Sequence, residues 1–151
     1  MTDSSEGAGA KLPLEMDERL AEASRFTDEE QWGEAYALLQ EMESDYPEDP
    51  MLLVMLGTVA GEVEARGLAY EYFRRALAAQ PTDPSVLVLL GAGLARFDDP
   101  EAEGVLRLAA ISAPHLPATR LQYGSYLARE GLHEAALTEL EAARELDPDD
   151  P

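Results

Sequence analysis

Cysteine is absent from this chain of 151 residues, histidine occurs twice, and Lys11 is the only lysine. The first absence excludes disulfides, thiolate metal sites and a cysteine nucleophile. His115, between Pro114 and Pro117, and His133, after the Gly131 turn, have no carboxylate at ligand spacing and make a poor zinc set. Both read as solvated turn residues. Basic charge is scarce throughout. With 31 acids against 11 bases the formal net charge is −20, which argues against duplex DNA, RNA or anionic lipid as a partner. No stretch approaches the roughly 18 consecutive apolar residues of a membrane helix, so membrane insertion is not expected. The acidic start, from Met1 to Gly7, lacks the basic and apolar regions of a secretory signal, and a cytoplasmic location is therefore expected.

Catalytic patterns are missing as well. No serine stands in a nucleophile elbow. Gly91-Ala92-Gly93 is too short for a phosphate-binding loop and falls inside a helical pattern. Asp28-Glu29-Glu30 lacks the spacing of a calcium loop and reads as helix-start charge. The expectation is a protein with no enzymatic activity, no metal and no cofactor.

What the chain does have is apolar content, at 46%, enough for burial to offset the entropy of ordering. It also has a repeat. Pro47, Pro81, Pro114 and Pro148 are spaced by 34, 33 and 34 residues. Ala35, Ala69, Ala102 and Ala136 keep the same steps, as do Met42, Ala76, Ala109 and Ala143. Ala23, Gly57, Gly91 and Gly124 step by 34, 34 and 33, which places one missing residue between Gly91 and Ala102. Four columns in one register define a unit.

Each unit reads as two helices. Leu52, Leu53, Leu56 and Val59 recur with helical spacing, and Phe73, Ala76 and Leu77 do so in the following segment. Inner turns are marked by Gly67, by Gly131 and by Asp98-Asp99-Pro100, where Asp can cap and Pro can open the helix. Paired prolines such as Pro47 with Pro50 and Pro81 with Pro84 end one unit and start the next. No segment alternates with period two, so no sheet is expected. Glycine in a helix interior costs roughly 1 kcal/mol against alanine. Gly57, Gly91 and Gly124 therefore predict a neighbouring helix crossing close over the backbone, with Ala69, Ala102 and Ala136 taking the reciprocal contact.

These columns resemble the tetratricopeptide repeat (TPR), a 34-residue helix-turn-helix motif of small and bulky positions ending in Pro. The second unit matches best, through Leu56-Gly57, Ala69, Phe73, Ala76 and Pro81; the fourth matches through Tyr123-Gly124, Gly131, Ala136, Leu140, Ala143 and Pro148. The third departs by its missing residue and by Gly104 in its second helix; the first has Ala23 and Met42 where Gly and Ala are usual. The resemblance implies an all-α fold, a right-handed α-solenoid of four stacked repeats. Its divisions are a disordered acidic leader over 1–15 and repeats over 16–49, 50–83, 84–116 and 117–150. Leu12, Leu14 and Met16 offer the leader a docking alternative. Pro151 stands where a fifth repeat would open, so either the array continues or something covers Leu137 and Leu140.

In this family the first helices of successive repeats line a concave groove that takes peptides. With the Gly57 column pointing into the stack, residues one and five later turn outward by about 100° and 140°, and the residue three earlier lies about 60° away on that side. The rule selects Val54, Thr58 and Glu62, then Val88, Ala92 and Arg96, then Leu121, Ser125 and Arg129, with Leu20, Ser24 and Asp28 in repeat one. TPR domains that clamp the carboxyl end of chaperone tails use Lys and Asn in the groove. Leu20, Val54, Val88 and Leu121 occupy those Lys positions, which excludes that function. Charge is uneven too, with 15 acids and 3 bases in residues 1–50. The expected partner is a protein segment with apolar anchors on Val54, Val88 and Leu121. Its basic end would lie over repeats one and two, its acidic end over Arg96 and Arg129. The leading reading is a protein-interaction scaffold or adaptor. The alternatives are a self-assembling protein that associates through its last repeat and, less favoured, a secretion or assembly chaperone.

Overall fold

The computed structural model describes the backbone of residues 3–149 and the side chains of residues 15–149. Among these residues there are eight helices and no strand: α1 (Asp3–Asp28), α2 (Trp32–Glu43), α3 (Pro50–Glu62), α4 (Arg66–Ala78), α5 (Pro84–Arg96), α6 (Ala102–Ser112), α7 (Pro117–Arg129) and α8 (His133–Leu146). Pro50, Pro84 and Pro117 each open a helix, where a missing N–H costs nothing. Asp49 and Asp83 cap α3 and α5, accepting from the Leu52 and Ser85 amides at 3.0 and 2.9 Å. The backbone of α1 is helical from Asp3. The acids Asp3 and Glu6 favour a helix start there by their charge. Residues 1 and 2, and the side chains of Leu12 and Leu14, lie outside the described residues.

Helices pair as α1 with α2, α3 with α4, α5 with α6 and α7 with α8. Pairs then stack, α2 against α3, α4 against α5 and α6 against α7, while α3, α5 and α7 pack side by side. The core is one continuous seam from Ala23 to Ala109. No single pair could bury its apolar stripe alone.

The glycine columns pack as their cost predicted. A Cβ built on Gly57 would come 2.8 Å from the Phe73 ring, one on Gly91 2.5 Å from Leu106, and one on Gly124 2.8 Å from Leu140. The facing groups are the bulky residues one turn after the alanine column. Ala69, Ala102 and Ala136 are themselves buried, but they are not what fills the glycine notch.

Three of the four inner turns close without glycine. Glu30, Glu64 and Asp98 take φ of 57, 65 and 53°, and only the fourth turn has a glycine, Gly131 at 82°. The first, third and fourth turns are Schellman closures, as in Gln31 N–H to Phe26 C=O at 2.8 Å with Glu30 N–H to Thr27 C=O at 3.0 Å; the second has the outer bond, Ala65 N–H to Ala60 C=O at 2.8 Å. Gly67, expected to mark a turn, instead lies in the first turn of α4; the left-handed residue is Glu64. Gly131→Ala therefore loses about 1 kcal/mol of stability, because a Cβ there opposes the left-handed backbone. Urea unfolding of the variant, compared with Gly33→Ala, whose Cβ meets nothing within 4 Å, measures it.

The residue missing from repeat three can be placed. The second helix is joined by Ala35 N–H to Gln31 C=O, Ala69 to Ala65 and Ala136 to Leu132, each four residues apart; in repeat three Ala102 reaches Asp99, three apart. The helix consequently starts at Ala102 rather than at Pro100. The Asp99 carboxylate takes over the opening turn, accepting from the Glu101 amide at 2.9 Å.

Candidate interaction face and its comparisons

The first helices α1, α3, α5 and α7 present one face of the stack. The structure distributes the residues selected for it unevenly. Val88 and Ala92 are half-buried, and Ser125 and Arg129 are exposed. Val54 is 0% exposed and cannot touch a ligand, which removes the expected first anchor. A residue only about 60° from the glycine column stays near the packed side of α3, which meets α2, α4 and α5. The same position is half-buried at Val88 and 41% exposed at Leu121. Leu121 lines a cleft of about 450 Å³ with Pro117, Leu140, Ala143 and Arg144, on the outer face of repeat four.

Thr58 spends its hydroxyl within its own helix, donating to the Val54 carbonyl at 2.9 Å. Glu62 and Arg96, selected as charges of opposite ends, stand 3.8 Å apart as an ion pair across α3 and α5. The Arg96 guanidinium also lies over Gly61, 3.7 Å from where a Cβ would be. Its charge is thus partly met within the chain. Arg129 has no ion pair among the described residues.

Another concavity on this face lies beside α1. α1 does not pack beside α3 as α3 does beside α5, and a cleft of about 450 Å³ opens between them. Met16, Leu20, Met51 and Met55 supply its apolar lining, with Ala21 and Ser24. Asp17, Asp49 and Asp83 are the charged residues along it. Of these, the sequence rule selected Leu20 and Ser24 alone. The methionines were missed because the rule counted from the glycine column and gave no weight to a gap between helices.

Polar contacts between repeats were also out of reach of the sequence. The Tyr72 hydroxyl donates to Glu43 at 3.1 Å, and that of Tyr123 donates to Glu103 at 2.8 Å, each tying one repeat to the one before it. Burial and then the Glu103 carboxylate push the Tyr123 hydroxyl up to about 12, so it stays a donor across the physiological range. A further cleft of about 480 Å³ between α6 and α7 contains Arg107 and Arg120, whose charges meet Glu103 at 3.9 Å and Glu139 at 2.8 Å. His115 and His133 are exposed at turns. No group of three or more metal-ligating side chains occurs among the described residues, and no described helix is long and apolar enough to cross a membrane.

No protein-family model and no curated protein matches the chain. Solved structures do. YrrB, described as a TPR protein with an unusual peptide-binding site, is 24% identical and superposes with a TM-score of 0.62 over 83% of this chain. The chain covers 66% of YrrB, about two thirds of its length. MamA from Desulfovibrio magneticus RS-1 is 20% identical with a TM-score of 0.68, over 89% of this chain and 76% of its own. Another crystal structure of MamA covers 95% of this chain at 15% identity and a TM-score of 0.67. At these identities the likeness concerns architecture, and it agrees with the helix pairing and the glycine notches: the chain has the fold of a tetratricopeptide-repeat protein, a right-handed α-solenoid of four repeats.

Proposed function

We propose that this protein is a non-enzymatic interaction scaffold, acting in the cytoplasm, that holds a segment of another protein along the face of α1, α3, α5 and α7. Its units are 16–49, 50–83, 84–116 and 117–150, a division supported by the way the eight helices pair. The observation that carries the reading is the lining of that face. Half-buried Leu20, Met51, Met55, Val88 and Ala92 run across three repeats with acids or arginine at their margins. Such a strip gives an extended or helical segment apolar seats without the cost of desolvating buried charge. Carboxylates outnumber cations on the surface, which supports solubility rather than a nucleic-acid site.

The test uses the partner that co-purifies from the native cell. Ala92→Arg/Ser125→Arg, two substitutions on the face, weakens that partner by at least about tenfold, roughly 1.4 kcal/mol. Leu108→Arg, on the exposed side of α6, leaves it unchanged. The reverse pattern rejects the reading.

A second reading is favoured by one observation. Leu137 is 57% exposed beside the cleft lined by Leu121 and Leu140, an apolar outer face on repeat four. Self-assembly through this face makes the mass seen by light scattering grow with concentration, and Leu137→Glu abolishes the growth. A constant mass across the series rejects it.

A further inference from the structure

We infer that the cleft between α1 and α3 is a socket for one large apolar side chain flanked by lysine or arginine in the partner segment. The inference rests on the scaffold reading and specifies which part of the face does the selecting. Three observations meet there. The first is a gap: α3, α5 and α7 pack side by side, yet α1 stands off from α3 and leaves about 450 Å³ open between two helices. The second is its lining. Met16, Met51 and Met55 are flexible and polarisable, able to close around side chains of differing shape, and Leu20 completes the apolar wall.

The third is charge. Asp17, Asp49 and Asp83 border the cleft, and among the described residues no cation does. The one arginine on the described part of α1 near it, Arg19, is turned toward α2, 3.6 Å from Glu41 and 3.9 Å from Asp45. Residues 1–50, which supply the cleft's α1 wall and Asp49, hold 15 acids and 3 bases, so the field over the opening is negative. Asp49 and Asp83 keep their carboxylates fixed through the Leu52 and Ser85 amides, presenting the charge at the cleft rim without losing side-chain freedom on binding. An apolar side chain alone would fill the gap. The rim selects for positive neighbours and against acidic ones.

Fluorescence anisotropy on the full chain tests this with three labelled peptides: Lys-Lys-Leu-Phe-Lys-Lys, Glu-Glu-Leu-Phe-Glu-Glu and Lys-Lys-Gly-Ser-Lys-Lys. The first binds at least about tenfold more tightly than either other, and weakens as salt rises past about 0.1 M. Asp17→Lys, at an exposed position that leaves the caps intact, weakens it by about tenfold, and Met55→Ser removes the advantage over the Gly-Ser peptide. Equal affinity for the two lysine peptides, no binding by the first, or indifference to Asp17→Lys overturns the socket. If the native partner still responds to Ala92→Arg/Ser125→Arg in that case, the scaffold reading stands without the socket. If the partner ignores both sets of substitutions, the scaffold reading falls with it.

Discussion

Phe73→Ala lowers the stability of the chain by about 3–5 kcal/mol, the range for removing a fully buried phenylalanine. The ring is 2% exposed and belongs to α4, but it fills notches in two other helices. A Cβ on Gly57 in its own repeat would stand 2.8 Å from it, and one on Gly93 in the next repeat 2.4 Å. Phe97 closes a third side, its ring centre 6.3 Å away. Truncation therefore opens a cavity at the junction of α3, α4 and α5, three rigid helices that cannot collapse independently. Because a solenoid is held by nearest-neighbour interfaces, the loss falls on the coupling of repeats two and three as much as on either repeat. Urea unfolding followed by circular dichroism should show an earlier and broader transition, whereas Leu108→Ala, at an exposed site, changes stability by less than about 0.5 kcal/mol. The complementary change is sharper still as a test. Gly93→Ala destabilises alone, and combining it with Phe73→Leu costs less than the two single effects together, since the smaller side chain makes room for the added methyl group. Strict additivity would mean that the ring does not occupy the Gly93 notch.

Gly93 shows where the sequence stopped speaking. Gly57, Gly91 and Gly124 announced themselves by recurring in register, so periodicity located the close approach, though it pointed to the alanine column and not to Phe73, Leu106 and Leu140, which fill the notches. Gly93 belongs to no column. Its partner is one repeat earlier, and nothing in the local pattern around Gly91-Ala92-Gly93 points back to Phe73. The helix starts at Pro50, Pro84 and Pro117 were legible for the converse reason, since a fixed φ and a missing N–H act on the residue itself. Burial along the proposed binding face was not legible, since a helical angle fixes only the side of a helix that a residue takes, and the angle at which burial ends depends on how closely the next helix lies. Val54 is fully buried, Val88 is half-buried and Leu121 is 41% exposed, three outcomes at one position of the repeat. The cleft between α1 and α3 was illegible for the same cause, because a gap belongs to the spacing of two helices and to neither sequence. Left-handed backbone at Glu30, Glu64 and Asp98 escaped notice as well, since the tertiary contacts of each turn impose there what glycine would otherwise permit.

Asp99→Ala destabilises the chain by about 3 kcal/mol at neutral pH, and the size of that effect depends on pH in a defined direction. The residue is 5% exposed, and its carboxylate gathers three donors: the Tyr70 hydroxyl at 2.6 Å, an Arg74 nitrogen at 3.2 Å and the Glu101 amide at 2.9 Å. Arg74 also meets Glu101. These groups join α4 to the shortened turn before α6, so the network stands where repeat three lost a residue and its second helix opens on a three-residue bond, Ala102 N–H to Asp99 C=O. Removal of the carboxylate strands the Tyr70 hydroxyl and the Glu101 amide in a site that water does not easily fill. Burial opposes ionisation of Asp99, yet the hydrogen bonds from Tyr70 and Glu101, together with the Arg74 charge, outweigh it and hold the carboxyl below its ordinary value. A depressed folded value means that the unfolded chain takes up the proton first as pH falls. The stabilisation is thus complete above the unfolded value of about 3.9 and is lost as pH drops through the lower folded one. The stability gap between wild type and Asp99→Ala should accordingly stay constant from neutral pH down to about 4 and shrink below it. Tyr70→Phe keeps the charge but deletes the shortest of the three bonds, so it costs less than Asp99→Ala; by raising the folded value it moves the lower end of the shrinkage toward higher pH, while the onset stays near the unfolded value. A gap that widened in acid would mean that the carboxyl is protonated in the native state and that the turn is held by other means.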